Sequence, residues 1–248
     1  MIQIRGLKKT LGGKKVLDGV DLDIQDGETI VIMGRSGSGK SVLLKHVIGL
    51  MGANEGSIQI DGQEIVGMKE GELDEVRKKF GMLFQSAALF DSMTVADNIG
   101  LALREHLRLG DDEIRGRVTE RLEWVGLKGI EDQRPASLSG GMRKRVGLAR
   151  AIAMDPQFIL YDEPTTGLDP VTADAINRLI RSLQKRMGIT SVVVTHDMTS
   201  AFHVGDRLAM LHGGKVVYVG TPDEVRKTDD AYVRQFVEGS SEGPIQVL

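Results

Sequence analysis

Eight consecutive residues, Gly34-Arg35-Ser36-Gly37-Ser38-Gly39-Lys40-Ser41, combine bare backbone, hydroxyls and one lysine at a spacing that wraps a phosphate chain. Glycines let main-chain N–H groups turn inward around phosphate oxygens, and a helix that starts there adds its positive end. In this pattern Lys40 reaches the β- and γ-phosphates, and the Ser41 hydroxyl binds Mg²⁺. A second group lies far along the chain, where Phe158-Ile159-Leu160-Tyr161 runs into Asp162-Glu163-Pro164. Paired acids at the carboxyl end of a buried strand sit where α/β sheets bind ligands. Asp162 suits the Mg²⁺ shell through water, because magnesium keeps waters and takes few carboxylates. Glu163 suits a general base that polarises an attacking water. A third group, Ser139-Gly140-Gly141, pairs a hydroxyl with bare backbone ahead of a basic helix. It repeats the logic of a phosphate cradle.

These groups need elements to hold them. Apolar Thr29–Met33 ahead of the first loop and helical Val42–Leu50 behind it supply the strand, loop, helix context. Strand-like and helix-like segments alternate, which predicts an α/β domain. Thr29–Met33, Phe80–Phe84, Phe158–Tyr161 and Ser191–Thr195 read as buried strands of a largely parallel core. Ile2–Leu7 and Val16–Ile24 read as strands of an antiparallel region, and Ser57–Ile60 reads as a further strand closed by the Asp61-Gly62 turn. Between about 88 and 156 the pattern becomes helical: Thr94–Glu105 and Asp111–Val125 carry apolar residues three and four apart, and Trp124 is expected to pack there. Asp169-Pro170 reads as a helix cap with proline in the first turn. Leu208–Leu211 and Val216–Val219 flank a Gly213-Gly214 hairpin turn. Thr221-Pro222-Asp223-Glu224 reads as a capping box. Residues 239–248 read as an exposed tail after a domain of 1–238.

Composition narrows the classes of function. At 248 residues the chain can bury one sizeable core. Its 35 acidic and 32 basic residues nearly cancel, so no overall field favours nucleic acid. Arg143, Lys144, Arg145 and Arg150 on the helix after Ser139 read as a solvated, partly paired face. Without cysteine there is no disulfide and no thiolate chemistry. Met1–Lys9 has no secretory pattern, and no window approaches about 18 uninterrupted apolar residues. A transport role would require separate membrane chains.

The phosphate loop together with Leu138-Ser139-Gly140-Gly141-Met142 resembles the ATP-binding cassette family over essentially the whole chain. The resemblance implies a P-loop NTPase (RecA-like) core with an antiparallel β region and a helical subdomain, using ATP and Mg²⁺. It implies that Ser139, Gly140 and Gly141 close over an ATP held by the other subunit of a homodimer. Gln85, after Phe80–Phe84, is then the residue that touches Mg²⁺ and the attacking water. His196, after Ser191–Thr195, is the switch that contacts the γ-phosphate, and Asp169 lies in the loop joining the two nucleotide sites. The family places an aromatic before the first Gly-Gly turn to stack on adenine; here Leu11 precedes Gly12-Gly13. The text Met82–Val95, Leu103–His106, Asp162–Pro170 and Val233–Gly239, then Gly243-Pro244-Ile245, is similar to the ATPase subunits of Mla/Mce-type phospholipid transporters. That branch implies a peripheral ATPase on the cytoplasmic face of the inner membrane, under permease subunits. An Mce-domain protein and a STAS-domain protein are further implied partners. Another importer or exporter ATPase shares the same motifs. A soluble, non-transport cassette ATPase is disfavoured by the single cassette, and a P-loop kinase or GTPase by Leu138–Met142.

Overall fold

A computed structural model describes residues 1–246. The chain divides into two compact units. One is Met1–Leu73 with the segment from Val192 onward, the other Asp74–Ser191.

The first unit holds β1 (Ile2–Leu11), β2 (Lys14–Ile24), β3 (Thr29–Met33), α1 (Lys40–Val47), β4 (Glu55–Ile60) and β5 (Gln63–Glu64). Strands β1, β2, β4 and β5 form an antiparallel sheet in the order β2-β1-β4-β5. Ile2 lies opposite Ile24 on one side and Ile60 on the other. All three are buried, so alternation along β1 fixes which face meets the core. Strand β3 is buried at every residue, as its unbroken apolar run requires.

Helix α2 (Glu70–Arg77) spans the division in sequence. It leads into β6 (Phe80–Leu83), α3 (Val95–His106), α4 (Asp111–Trp124), α5 (Gly140–Ala151), β7 (Phe158–Asp162) and α6 (Pro170–Met187) of the second unit. Strands β6 and β7 are parallel, from Phe80 opposite Phe158 to Leu83 opposite Tyr161. The two phenylalanine rings stack at 4.9 Å between centroids. Because the strands are parallel, the loop carrying Gln85 and the pair Asp162-Glu163 leave at the same end. Helices α3, α4 and α5 bury Ile99 and Leu103, Val118 and Leu122, and Val146 and Leu148. Trp124 packs through cations: the guanidinium carbons of Arg121 and Arg186 lie 4.0 and 3.7 Å from its ring centre.

Strand β8 (Thr190–Thr195) starts in the second unit and ends in the first, where α7 (Met198–Val204), β9 (Arg207–His212), β10 (Lys215–Gly220), α8 (Pro222–Lys227) and α9 (Ala231–Glu238) follow. Strand β9 runs parallel to β3, and β10 returns antiparallel to β9. The start of β3 is pinned by Thr29 N–H donating to Asp206 Oδ2 at 2.8 Å and Asp206 N–H donating to the Thr29 carbonyl at 2.8 Å. Helix α8 carries the full capping box between Thr221 and Glu224. No helix among the described residues is long and apolar enough to cross a membrane.

The end of the chain departs from a plain tail. Residues 239–244 are exposed, but Ile245 is buried. The Gln235 side chain grips it from both sides, accepting from Ile245 N–H at 2.6 Å and donating to its carbonyl at 3.0 Å. Arg35 donates to the Gln246 carbonyl at 2.6 Å. Val247 and Leu248, which extend the apolar end in sequence, lie outside the described residues.

Candidate functional site

Strand β3 ends in the glycine-rich loop, and α1 begins at Lys40. Gly39 occupies the cap position in a left-handed conformation (φ 103°), and no side chain caps α1. The helix therefore presents an uncapped N-terminus, an anion site by construction. Two of the glycines are required by the protein's own packing. A Cβ on Gly34 would come within 2.5 Å of the Leu211 carbonyl oxygen, and one on Gly39 within 3.0 Å of the Val16 carbonyl oxygen. Lys40 is buried and folds back on the loop, donating to the carbonyls of Gly34 at 2.7 Å and Arg35 at 3.1 Å. The Ser38 hydroxyl is buried with no hydrogen-bond partner. Such a group costs about 1–3 kcal/mol if left unmet. A cradle with an inward lysine, an orphan hydroxyl and an uncapped helix start fits a phosphate group. Arg35, Ser36 and Gly37 form its exposed rim, and Ser41 lies in the first turn of α1.

In the same unit, His196 is exposed on the residue after β8. Its backbone is fixed by Asp197, whose N–H donates to Thr195 Oγ1 at 3.0 Å and whose carboxylate caps α7 through Thr199 N–H at 3.0 Å. His46 is buried on α1 with Nδ1 2.7 Å from the Val42 carbonyl oxygen. Burial pushes its pKa down, consistent with a neutral structural histidine. Leu11 lies at the β1 tip and is 38 % exposed.

The second unit gathers the remaining residues. Glu163 is buried and has a left-handed backbone, φ 49°. Its Oε2 accepts from the Thr166 hydroxyl at 3.3 Å. Asp162 closes β7. The Gln85 side chain is exposed, two residues beyond β6. Ser139 caps α5, accepting from Met142 N–H at 3.2 Å, which leaves its O–H as a donor. A Cβ on Gly140 would make ordinary contact with Leu168, and one on Gly141 would come within 2.7 Å of Thr172 Cγ2. Asp169 caps α6 through Val171 and Thr172 N–H, both at 3.0 Å. The Thr172 hydroxyl and these amides hold its carboxyl below the usual range.

The basic face of α5 needs correction. Lys144 is buried, and its ammonium donates to the carbonyls of Gln85 and, at 3.2 Å, Glu163. Arg150 donates to the carbonyls of Ala87 and Ala88, each at 2.7 Å, Arg145 to Val125 at 3.0 Å, and Arg143 to Leu138 at 3.0 Å. All four hold main-chain carbonyls, Lys144 from a buried position and Arg143 while still exposed. Sequence reasoning missed this because the acceptors are main-chain carbonyls up to 63 residues away in the chain. The only signal was a dense run of bases on a helix that also carries core residues.

The site residues thus fall into two groups: residues 34–41 with His196 in one unit, and Gln85, Ser139–Gly141, Asp162, Glu163 and Asp169 in the other. Gln85 and Glu163 are brought to a single ammonium.

Comparison with known proteins bears on both groups. The family model described as ABC transporter matches residues 17–166. The "Probable ribonucleotide transport ATP-binding protein mkl" of Mycobacterium leprae is 45% identical over 98% of this chain and 70% of its own length. The "Intermembrane phospholipid transport system ATP-binding protein MlaF" of Haemophilus influenzae is 40% identical over 99% of this chain and 93% of its own. A dimeric ATP-binding cassette solved in a post-hydrolysis state with ADP and Pi superposes with a TM-score of 0.83. It is 35% identical and covers 90% of this chain and 99% of that one.

Proposed function

We infer the task of this chain from a fixed premise: it belongs to the ABC transporter family. It is a cassette ATPase subunit with a mixed α/β fold, an antiparallel sheet and a helical subdomain. We propose that it powers phospholipid movement across the cell envelope through a partner permease. The observation that supports this most is the match to the MlaF relative, which runs nearly end to end in both chains.

In this reading the loop of residues 34–41 holds the phosphates of ATP. Lys40 exchanges its contacts with the Gly34 and Arg35 carbonyls for phosphate oxygens, and the Ser38 hydroxyl gains an acceptor. Ser41, Gln85 and Asp162 are hard oxygen donors suited to Mg²⁺, which when bound neutralises charge on the phosphates. Glu163 takes a proton from the attacking water, His196 contacts the γ-phosphate, and hydrolysis yields ADP and phosphate. Ser139, Gly140 and Gly141 offer the Ser139 O–H and backbone amides to ATP held by the partner subunit of a homodimer. Asp169 sets the entry of α6 in the loop joining the two sites.

The loop after Gln85 is a suitable handle for a permease. Ala87 and Ala88 take left-handed conformations held by Arg150. Phe90 is 49 % exposed, with its backbone clamped by the Asn98 side chain at 2.7 and 3.1 Å. A loop whose backbone is held at both Ala87–Ala88 and Phe90 is a firm lever for a partner to press on. An Mce-domain protein and a STAS-domain protein complete the proposed assembly, with this chain peripheral on the cytoplasmic side.

The mkl relative's name supports a second reading, a nucleotide cargo. Co-reconstitution of the chain with its partner permease tests both. ATP-dependent transfer of fluorescent phospholipid between vesicles, abolished by Glu163→Gln, is expected. ATP-dependent ribonucleotide uptake without lipid transfer would replace the proposal.

A further inference from the structure

Lys144 is a buried charge that the proposed reaction does not use. Its side chain is 5 % exposed. Withdrawing an ammonium from water costs several kcal/mol unless good acceptors replace the lost hydration. Its acceptors here are the carbonyl of Gln85 and the carbonyl of Glu163 at 3.2 Å. Desolvation pushes its pKa down, while the nearby carboxylates of Asp162 and Glu163 favour the charged form. The two carbonyls belong to separate loops that leave the parallel strands β6 and β7 at the same end. Helix α5, which carries the lysine, is the helix that Ser139 caps. One side chain thus joins the helix behind Ser139, the loop of Gln85 and the backbone of Glu163.

The Glu163 contact has a specific use. A left-handed backbone costs a non-glycine residue about 1–2 kcal/mol. Glu163 adopts one, and the Thr166 hydroxyl orients its carboxylate. A cation on its carbonyl holds that conformation without touching the carboxylate. A bond to main chain also transmits displacement: movement of the Gln85 loop must either drag the ammonium or break its bond.

We propose that Lys144 is a positioning residue that sets the backbone of Glu163 and ties it to the position of the Gln85 loop. This rests on the reading of Glu163 as the base. Lys144 acts on the rate of the chemical step and leaves nucleotide binding alone, since its contacts lie on the base and its neighbouring loop. A misplaced catalytic group of this kind costs about 10- to 100-fold in rate.

Steady-state ATP hydrolysis by the full chain, with Lys144→Met and Lys144→Arg, tests this. Lys144→Met should lower kcat at least tenfold with KM and ATP affinity within about twofold of the parent, and Lys144→Arg should recover most of kcat. In a Glu163→Gln background, single-turnover phosphate release should fall no further when Lys144→Met is added, because the lysine acts through the residue already removed. If Lys144→Met proves unfolded by thermal melting, Lys144→Gln takes its place, with the same loss of kcat at unchanged KM supporting the proposal and an unchanged kcat opposing it. An unchanged kcat in folded Lys144→Met, or a full multiplicative loss in the Glu163→Gln background, would overturn it. Near-normal turnover by Glu163→Gln alone would instead remove the base assignment, a separate failure.

Discussion

Two glycine-bearing helix entrances, at residues 34–41 and 139–142, use the same residue types for opposite ends. At the first, the glycines are demanded by the protein: backbone carbonyls of Leu211 and Val16 occupy the space a Cβ would need. Lys40 is held by carbonyls of its own loop, while α1 has no side-chain cap and the Ser38 hydroxyl is orphaned. At the second, the Ser139 oxygen caps α5 while its O–H remains a donor, and the bases behind it hold loop carbonyls. Its glycines meet only side chains, Leu168 and Thr172. The first entrance is a cradle whose fold would suffer without its glycines. The second is a capped helix start whose glycines border side chains rather than backbone.

The largest effect that bears on this contrast is chemical. Glu163→Gln should keep the fold and ATP binding, and lower hydrolysis by about 10²- to 10⁴-fold, the range for removing a general base. Phosphate release and nucleotide titration on the same sample check it. Lys40→Ala should act differently, weakening ATP binding itself. Loss of a charge-assisted contact of about 1.5–3 kcal/mol corresponds to roughly 10- to 150-fold in Kd. Unchanged affinity would mean that the buried lysine serves its own loop alone.

Glycine substitutions sharpen the comparison. Gly34→Ala should destabilise the domain by about 1–3 kcal/mol, because the obstacle is backbone. Gly141→Ala should cost less, since the obstacle is a single side-chain methyl, Thr172 Cγ2, and alanine improves helix propensity by up to about 1 kcal/mol. It should nevertheless impair nucleotide trapping. Equal melting shifts for the two variants would erase the distinction. The smallest expected effect is at Leu11. Leu11→Tyr should tighten ATP against GTP by about fivefold, the worth of one aromatic stack at about 1 kcal/mol. No change in competition would show that another side chain already holds the base.

Much of this was legible in the chain. Unbroken apolar runs gave β3, β7 and β8, because strands buried on both faces need no alternation. Asp169-Pro170 and Thr221–Glu224 marked the starts of α6 and α8 by local hydrogen bonding that their own residues complete. The short β5 and α2 were not legible, since Gln63-Glu64 and Glu70–Arg77 bury little beyond Val76. The basic helix misled for a related reason. Whether a lysine is solvated or buried depends on carbonyls supplied by distant loops, and periodicity carries no record of them. Ile245 was hidden likewise, its partner Gln235 being a polar residue on a helix.

The central claim is that the two entrances act on one ATP from two subunits. Mixing Lys40→Ala subunits with Ser139→Arg subunits tests it most directly. In a mixed dimer both defects fall in one composite site and the other is left intact, so nucleotide trapping should reappear at a level neither mutant homodimer shows. Absence of trapping in mixtures shown to contain heterodimers, or normal hydrolysis by Ser139→Arg homodimers, would contradict the account.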